Sequence, residues 1–193
     1  MDRKQTTKLL TDTLVYNKLS DRKYYAKEVT LDYGTTSPKR VDIMQFEPAG
    51  VTYASDIEKG IFICYEIKSC KADVYSGHGL RFYGEKNYIV TTMSTYKELQ
   101  DDICEGTLDK YIKEHYPESS LYYGFLVPVP ASIDLRDSQA LYAEFENPSE
   151  FSGDPSDWKL HAIYPCIEGR RTRSMNELLF CMLRAKHSDT NQN

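Results

Sequence analysis

Three residues carry the chemistry that this sequence offers most clearly. Asp42 interrupts an apolar stretch, Arg40-Val41-Asp42-Ile43-Met44. Glu66 and Lys68 close a second one, Ile61-Phe62-Ile63-Cys64-Tyr65-Glu66-Ile67-Lys68. The second run, rich in Ile and aromatics and preceded by Gly60, reads as a strand buried on both faces. Side chains alternate along a strand, so Glu66 and Lys68 share one face while Tyr65 and Ile67 share the other. A carboxylate and an ammonium are costly on such a strand unless something pairs with them. A site at the strand's end would supply the reason: two carboxylates suit a hard cation, and an amine stabilises developing negative charge. Cross-strand ion pairing on a half-exposed sheet uses the same residue types.

The surrounding pattern is that of one α/β domain over residues 1–186, with a polar tail at 187–193 expected to be disordered. Leu9, Leu10 and Leu14 predict a helix over residues 6–19. Alternation predicts a strand over 24–33, a turn at Gly34–Pro38, and a second strand over 39–46 carrying Asp42. With residues 61–68 these form an antiparallel meander. A fourth strand is predicted over 86–92, then helices from Ser94 and Leu108. Residues 121–129 read as a fifth strand, with Pro128 and Pro130 placing its end near a sheet edge. Residues 131–157 read as an acidic inserted loop or irregular hairpin, and 158–166 as a sixth strand. Ser174-Met175-Asn176-Glu177 has capping-box form, and Met175, Leu178, Leu179, Met182 and Leu183 follow at helical spacing.

Composition narrows the function classes. No apolar stretch approaches membrane-spanning length, and the polar start Met1-Asp2-Arg3-Lys4 is unlike a secretory signal. The five cysteines are odd in number and form no C-x-x-C, which points to reduced thiols and a cytoplasmic protein rather than a zinc site. The net charge of −5 argues against a uniformly basic nucleic-acid binder, but the charge is uneven. Residues 1–30 hold seven Lys/Arg against four acids, and residues 134–157 hold one Arg against seven acids. Arg170, Arg171 and Arg173 cluster ahead of the last helix, an arrangement that suits phosphate. His78 lies in a glycine-flanked loop where backbone approaches a ligand closely. Lys71 follows the E-x-K motif and is a further phosphate-binding candidate.

The ordered set of motifs resembles the PD-(D/E)XK nuclease superfamily, and within it the MmcB-like DNA-repair proteins and their phage-encoded relatives. The matching stretches are Lys27-Glu28-Val29-Thr30-Leu31, Lys39-Arg40-Val41-Asp42 and Tyr65-Glu66-Ile67-Lys68-Ser69-Cys70-Lys71-Ala72-Asp73. Ser76-Gly77-His78-Gly79-Leu80-Arg81 with Asn87-Tyr88 resembles the phage members. The resemblance implies a restriction-endonuclease-like core: a mixed central sheet flanked by helices. It also implies DNA cleavage dependent on Mg2+ or Mn2+. Asp42, Glu66 and the carbonyl of Ile67 would hold the metal, Lys68 would act on the water or the transition state, and Glu28 is the candidate for an extra carboxylate. Lys71, His78, Arg170, Arg171 and Arg173 would contact DNA, and a homodimer is an arrangement the resemblance allows. The sequence departs from the superfamily pattern in two places. The predicted first helix carries Asp12 as its one acid, and residues 131–157 have no counterpart. The net negative charge and both departures motivate an alternative: a catalytically silent DNA- or protein-binding module docking a basic partner through residues 134–157, as a phage inhibitor of a host defence enzyme would.

Overall fold

The computed structural model describes residues 1–19 and 24–190, the side chains of 186–190 excepted. Its frame is one six-stranded sheet in the order β1-β2-β3-β4-β5-β6. The strands are β1 (Tyr24–Leu31), β2 (Lys39–Glu47), β3 (Ile61–Ile67), β4 (Lys86–Val90), β5 (Gly124–Pro130) and β6 (Trp158–Tyr164). The first three form the expected antiparallel meander; β3/β4 and β4/β5 are parallel, and β5/β6 is antiparallel. A parallel pair needs a long crossover. Helix α3 (Lys71–Val74) with the glycine loop supplies the first, and α4 (Met93–Cys104) with α5 (Thr107–His115) the second. This is a mixed α/β fold: a mixed sheet flanked by helices.

Helix α1 (Arg3–Lys18) starts on a capping box, Asp2 accepting from the Gln5 N–H. It buries Leu10 and Leu14 on one sheet face, against Ile43, Ile63, Tyr65 and Ile67. Helix α7 (Met175–Thr190) packs Leu178, Cys181 and Met182 on the other face, against Val29, Leu31, Met44 and Phe62. Its entry follows the expected cap, with the Glu177 N–H donating to Ser174 Oγ at 3.2 Å. With both faces covered, β3 is buried along almost its whole length, as its composition predicts.

A five-residue helix, α2 (Ala54–Glu58), lies in the β2–β3 connection. Strand β5 lies inside the sheet, but its ladder with β4 stops at Leu126, so Pro128 and Pro130 sit at an open end of the strand, as expected. Two expectations are corrected. Residues 131–157 are not an irregular hairpin but carry α6 (Ser138–Glu146), whose N-cap Asp137 accepts from the Gln139 and Ala140 N–H groups. Helix α7 runs to Thr190, beyond the expected start of a disordered tail; residues 191–193 lie outside the described part. Among the described residues no helix is long and apolar enough to cross a membrane. The five cysteines are all unbridged.

Candidate active site

The end of β3 is where the charged residues meet. The β2/β3 register pairs Ile43 with Tyr65, and one further step sets Asp42 opposite Glu66. There the backbone ladder gives way to a side chain: Asp42 Oδ2 accepts from the Ile67 N–H at 2.8 Å. A strand residue turns its N–H and C=O to the same neighbour, so the Ile67 carbonyl faces the Asp42 side as well. On the other side, the Lys68 N–H donates to the Val90 carbonyl at 2.9 Å and keeps the chain extended past Glu66. The expected alternation holds, with Tyr65 and Ile67 packed under α1.

Glu66 is completely buried. Its Oε1 accepts from the Arg81 N–H at 3.0 Å, while Oε2 has no hydrogen-bond partner. The nearest cation to Oε2 is Lys68 Nζ at 3.9 Å. Burial, and next the Asp42 charge, push the Glu66 carboxyl well above the usual carboxylate range; Lys68 and the backbone at Arg81 and Leu80 pull it back. Asp42 therefore acts electrostatically on Glu66.

The glycine loop closes over this pair. Lys68 Nζ donates to the His78 carbonyl at 2.7 Å. Gly79 sits against both side chains: a Cβ there would lie 2.6 Å from Glu66 Oε2 and collide with Lys68 Nζ. Its φ of +92° is a conformation that side-chain-bearing residues rarely adopt. Gly77 shares the positive φ but faces open space, and its N–H is held by the Tyr111 hydroxyl at 2.9 Å. Gly77→Ala should therefore cost about 1–2 kcal/mol of backbone strain alone. Gly79→Ala should cost more, because Lys68 must also move. Chemical denaturation of the two variants gives the comparison.

Beside the pair lies a cleft of about 790 Å3, between α1, the β1/β2 ends and the glycine loop. Arg3, Lys27, Arg40, Lys68 and Arg81 line it against three carboxylates, Glu28, Asp42 and Asp73. A chain of net charge −5 thus keeps a cation excess at this opening.

Of the residues singled out from sequence, Asp42, Glu66, Lys68 and Ile67 come together. His78 lines the cleft and contributes its carbonyl to Lys68. Glu28 also lines the cleft, but its φ of +53° breaks the strand's alternation and its carboxylate pairs with Arg40 at 2.7 Å. Lys71 turns to α4, where Nζ meets Asp102 at 2.8 Å and the Glu98 carbonyl. Asp12 pairs with Lys8 and does not line the cleft. The arginine cluster is elsewhere. Arg170 is exposed and outside the cleft. Arg173 pairs with Asp32, Glu118 and Glu177. Arg171 holds Glu85 at 2.5 Å, and Glu85 in turn accepts from the Phe62 N–H at 2.8 Å, at the opposite end of β3. Removing Arg171 strands a mostly buried carboxylate, so Arg171→Ala should lose about 2 kcal/mol of stability in a thermal melt.

Sequence reasoning missed the supporting groups. Asp73 accepts from the Ser69 N–H and Oγ at 3.2 Å each, and pairs with Arg3, so α1 is tied to the turn after β3. Arg81 holds Glu66 by its backbone. Its position directly after the glycine loop was the available signal. In the acidic segment, Asp134, Asp137, Glu144, Asp154 and Asp157 are engaged in accepting backbone N–H groups of that segment itself.

No protein-family model, curated protein or solved structure matches the chain. The site must be read from its own chemistry. Among the described residues no three His, Cys, Asp or Glu side chains gather to hold an ion. A divalent cation here would therefore have two carboxylates and a carbonyl as protein ligands. Magnesium suits that set, because it keeps several waters and takes one or two carboxylates. The unpartnered, buried Glu66 Oε2 fits such an ion: it is an acceptor that lacks any donor.

Proposed function

We propose that this chain is a metal-dependent DNA nuclease of the PD-(D/E)XK type, using Mg2+ or Mn2+ to hydrolyse a phosphodiester. The observation that carries this reading is the buried Glu66 Oε2, without a hydrogen bond, beside Asp42 and 3.9 Å from the Lys68 amine. Asp42, Glu66 and the Ile67 carbonyl would hold the cation. A bound divalent ion would make a water more acidic and neutralise charge developing on the phosphate. Lys68 would orient that water or stabilise the same charge. Arg81 fixes Glu66 through its N–H, and the His78 carbonyl fixes the amine. The mixed sheet with its meander ending on Glu66 agrees with the superfamily resemblance, and the cation excess in the cleft suits a polyanion. Incubation with labelled single-stranded, duplex and branched DNA plus Mg2+ or Mn2+ tests the reading. Products that Glu66→Gln eliminates are expected; no products on any substrate would overturn it.

One observation favours a silent DNA-binding module instead. Glu66 is completely buried beneath the glycine loop and does not line the cleft, so an ion or substrate reaches its carboxylate only if that loop moves. DNA binding without products would select that reading.

A further inference from the structure

Two cations of the cleft differ from the rest. Arg3 is paired with Asp73, Arg40 with Glu28, and Lys68 with Glu66. Lys27 and Arg81 have no carboxylate within ion-pair reach among the described residues, yet both line the cleft. Both are half-buried, so their charges are partly desolvated without an anion to compensate. Arg81 lies over the Tyr116 ring, 4.8 Å from its centroid, a contact that orients the guanidinium without neutralising it. Their placement frames the acids. Lys27 is on β1 opposite Ile43, next to Asp42; Arg81 is bonded through its own N–H to Glu66.

We propose that Lys27 and Arg81, and not the arginine cluster at 170–173, hold the DNA phosphates on the two sides of the Asp42–Glu66 pair. The inference rests on the cleft being the nucleic-acid site proposed above, but it concerns binding rather than turnover. Arg81 would be both a phosphate ligand and a positioning residue, because movement of its guanidinium toward a phosphate pulls on the backbone that holds Glu66. The pairing of Arg171 and Arg173 with carboxylates is the converse observation: their charges are already matched.

The test is fluorescence anisotropy with labelled single-stranded and duplex DNA in EDTA, titrated at several salt concentrations. Each phosphate contact removed should make the slope of log affinity against log salt shallower by about 0.7 on single strands and about 0.9 on duplex. Arg81→Gln and Lys27→Gln should each show that change. Arg170→Gln should leave the slope as in the parent chain, and Arg81→Lys, which keeps the charge, should retain most of it. Thermal melts of each variant confirm that the protein compared is folded. Unchanged slopes in both Gln variants, an equal change in Arg170→Gln, or no DNA binding by the parent chain would overturn the inference. Binding with these slopes but without any cleavage in Mg2+ would uphold it while overturning the nuclease reading.

Discussion

Glu66→Gln should abolish cleavage, with a rate loss of at least about 100-fold, while the protein melts at a higher temperature than its parent in metal-free buffer near neutral pH. The two effects share one cause. Glu66 is buried with one oxygen lacking a donor, and its carboxyl is held well above the ordinary value by burial and by Asp42. A carboxyl whose folded pKa is raised contributes stability that is fully present below its unfolded value of 4.5 and is lost as pH rises through the folded value. Above that point, ionising Glu66 works against folding. Glutamine is never charged and can still accept from the Arg81 N–H. The gain in melting temperature should therefore appear at about pH 8 and vanish toward pH 4.5. A divalent cation should raise the melting temperature of the parent at about pH 8 and do little for the variant. Melts at both pH values, with and without Mg2+, read all of this in one experiment.

Lys68→Met should also lose about 100-fold or more in rate, but for a different reason. The amine donates to the His78 carbonyl and so pins the glycine loop, and it stands 3.9 Å from Glu66 Oε2, where in the proposed reaction it would act on developing charge. Methionine keeps much of the length and the apolar stem. Metal binding should persist, because neither carboxylate nor the Ile67 carbonyl is touched. Loss of turnover with Mn2+ binding retained, read by single-turnover assay and calorimetry, separates the lysine's role from the acids'. The variant's loop should also become more mobile, seen as faster amide exchange at His78–Arg81.

The features legible in the sequence are those set by short-range periodicity. The apolar run of β3 declares a strand, and its period of two places Glu66 with Lys68 and away from Tyr65 and Ile67. The turn residues at Gly34–Pro38 declare the β1–β2 hairpin, and Ser174 with Glu177 declares the start of α7. What stayed hidden depends on contacts between distant positions or on unusual backbone. Nothing local tells that Glu28 adopts a φ of +53° and gives its charge to Arg40. The arginines at 171 and 173 look like a phosphate patch until Glu85, Asp32 and Glu118 are brought to them by the fold. Helix α6 was readable in principle, since Asp137 can cap and Leu141 and Phe145 stand four residues apart on one face. The surrounding Pro and Gly outweighed that signal. The closure of the loop on Lys68 could not be read at all, because it is a carbonyl, not a side chain, that the amine finds.

The most direct measurement is calorimetric titration of Mn2+ into the intact chain, alongside Asp42→Asn and Glu66→Gln. Asparagine preserves an acceptor for the Ile67 N–H, so that variant should stay folded while losing charge. Asp42 and Glu66 jointly holding one cation requires uptake of a single Mn2+ per chain, weakened about 10-fold or more by either substitution. No uptake by the parent chain, or the same affinity in all three proteins, would contradict it.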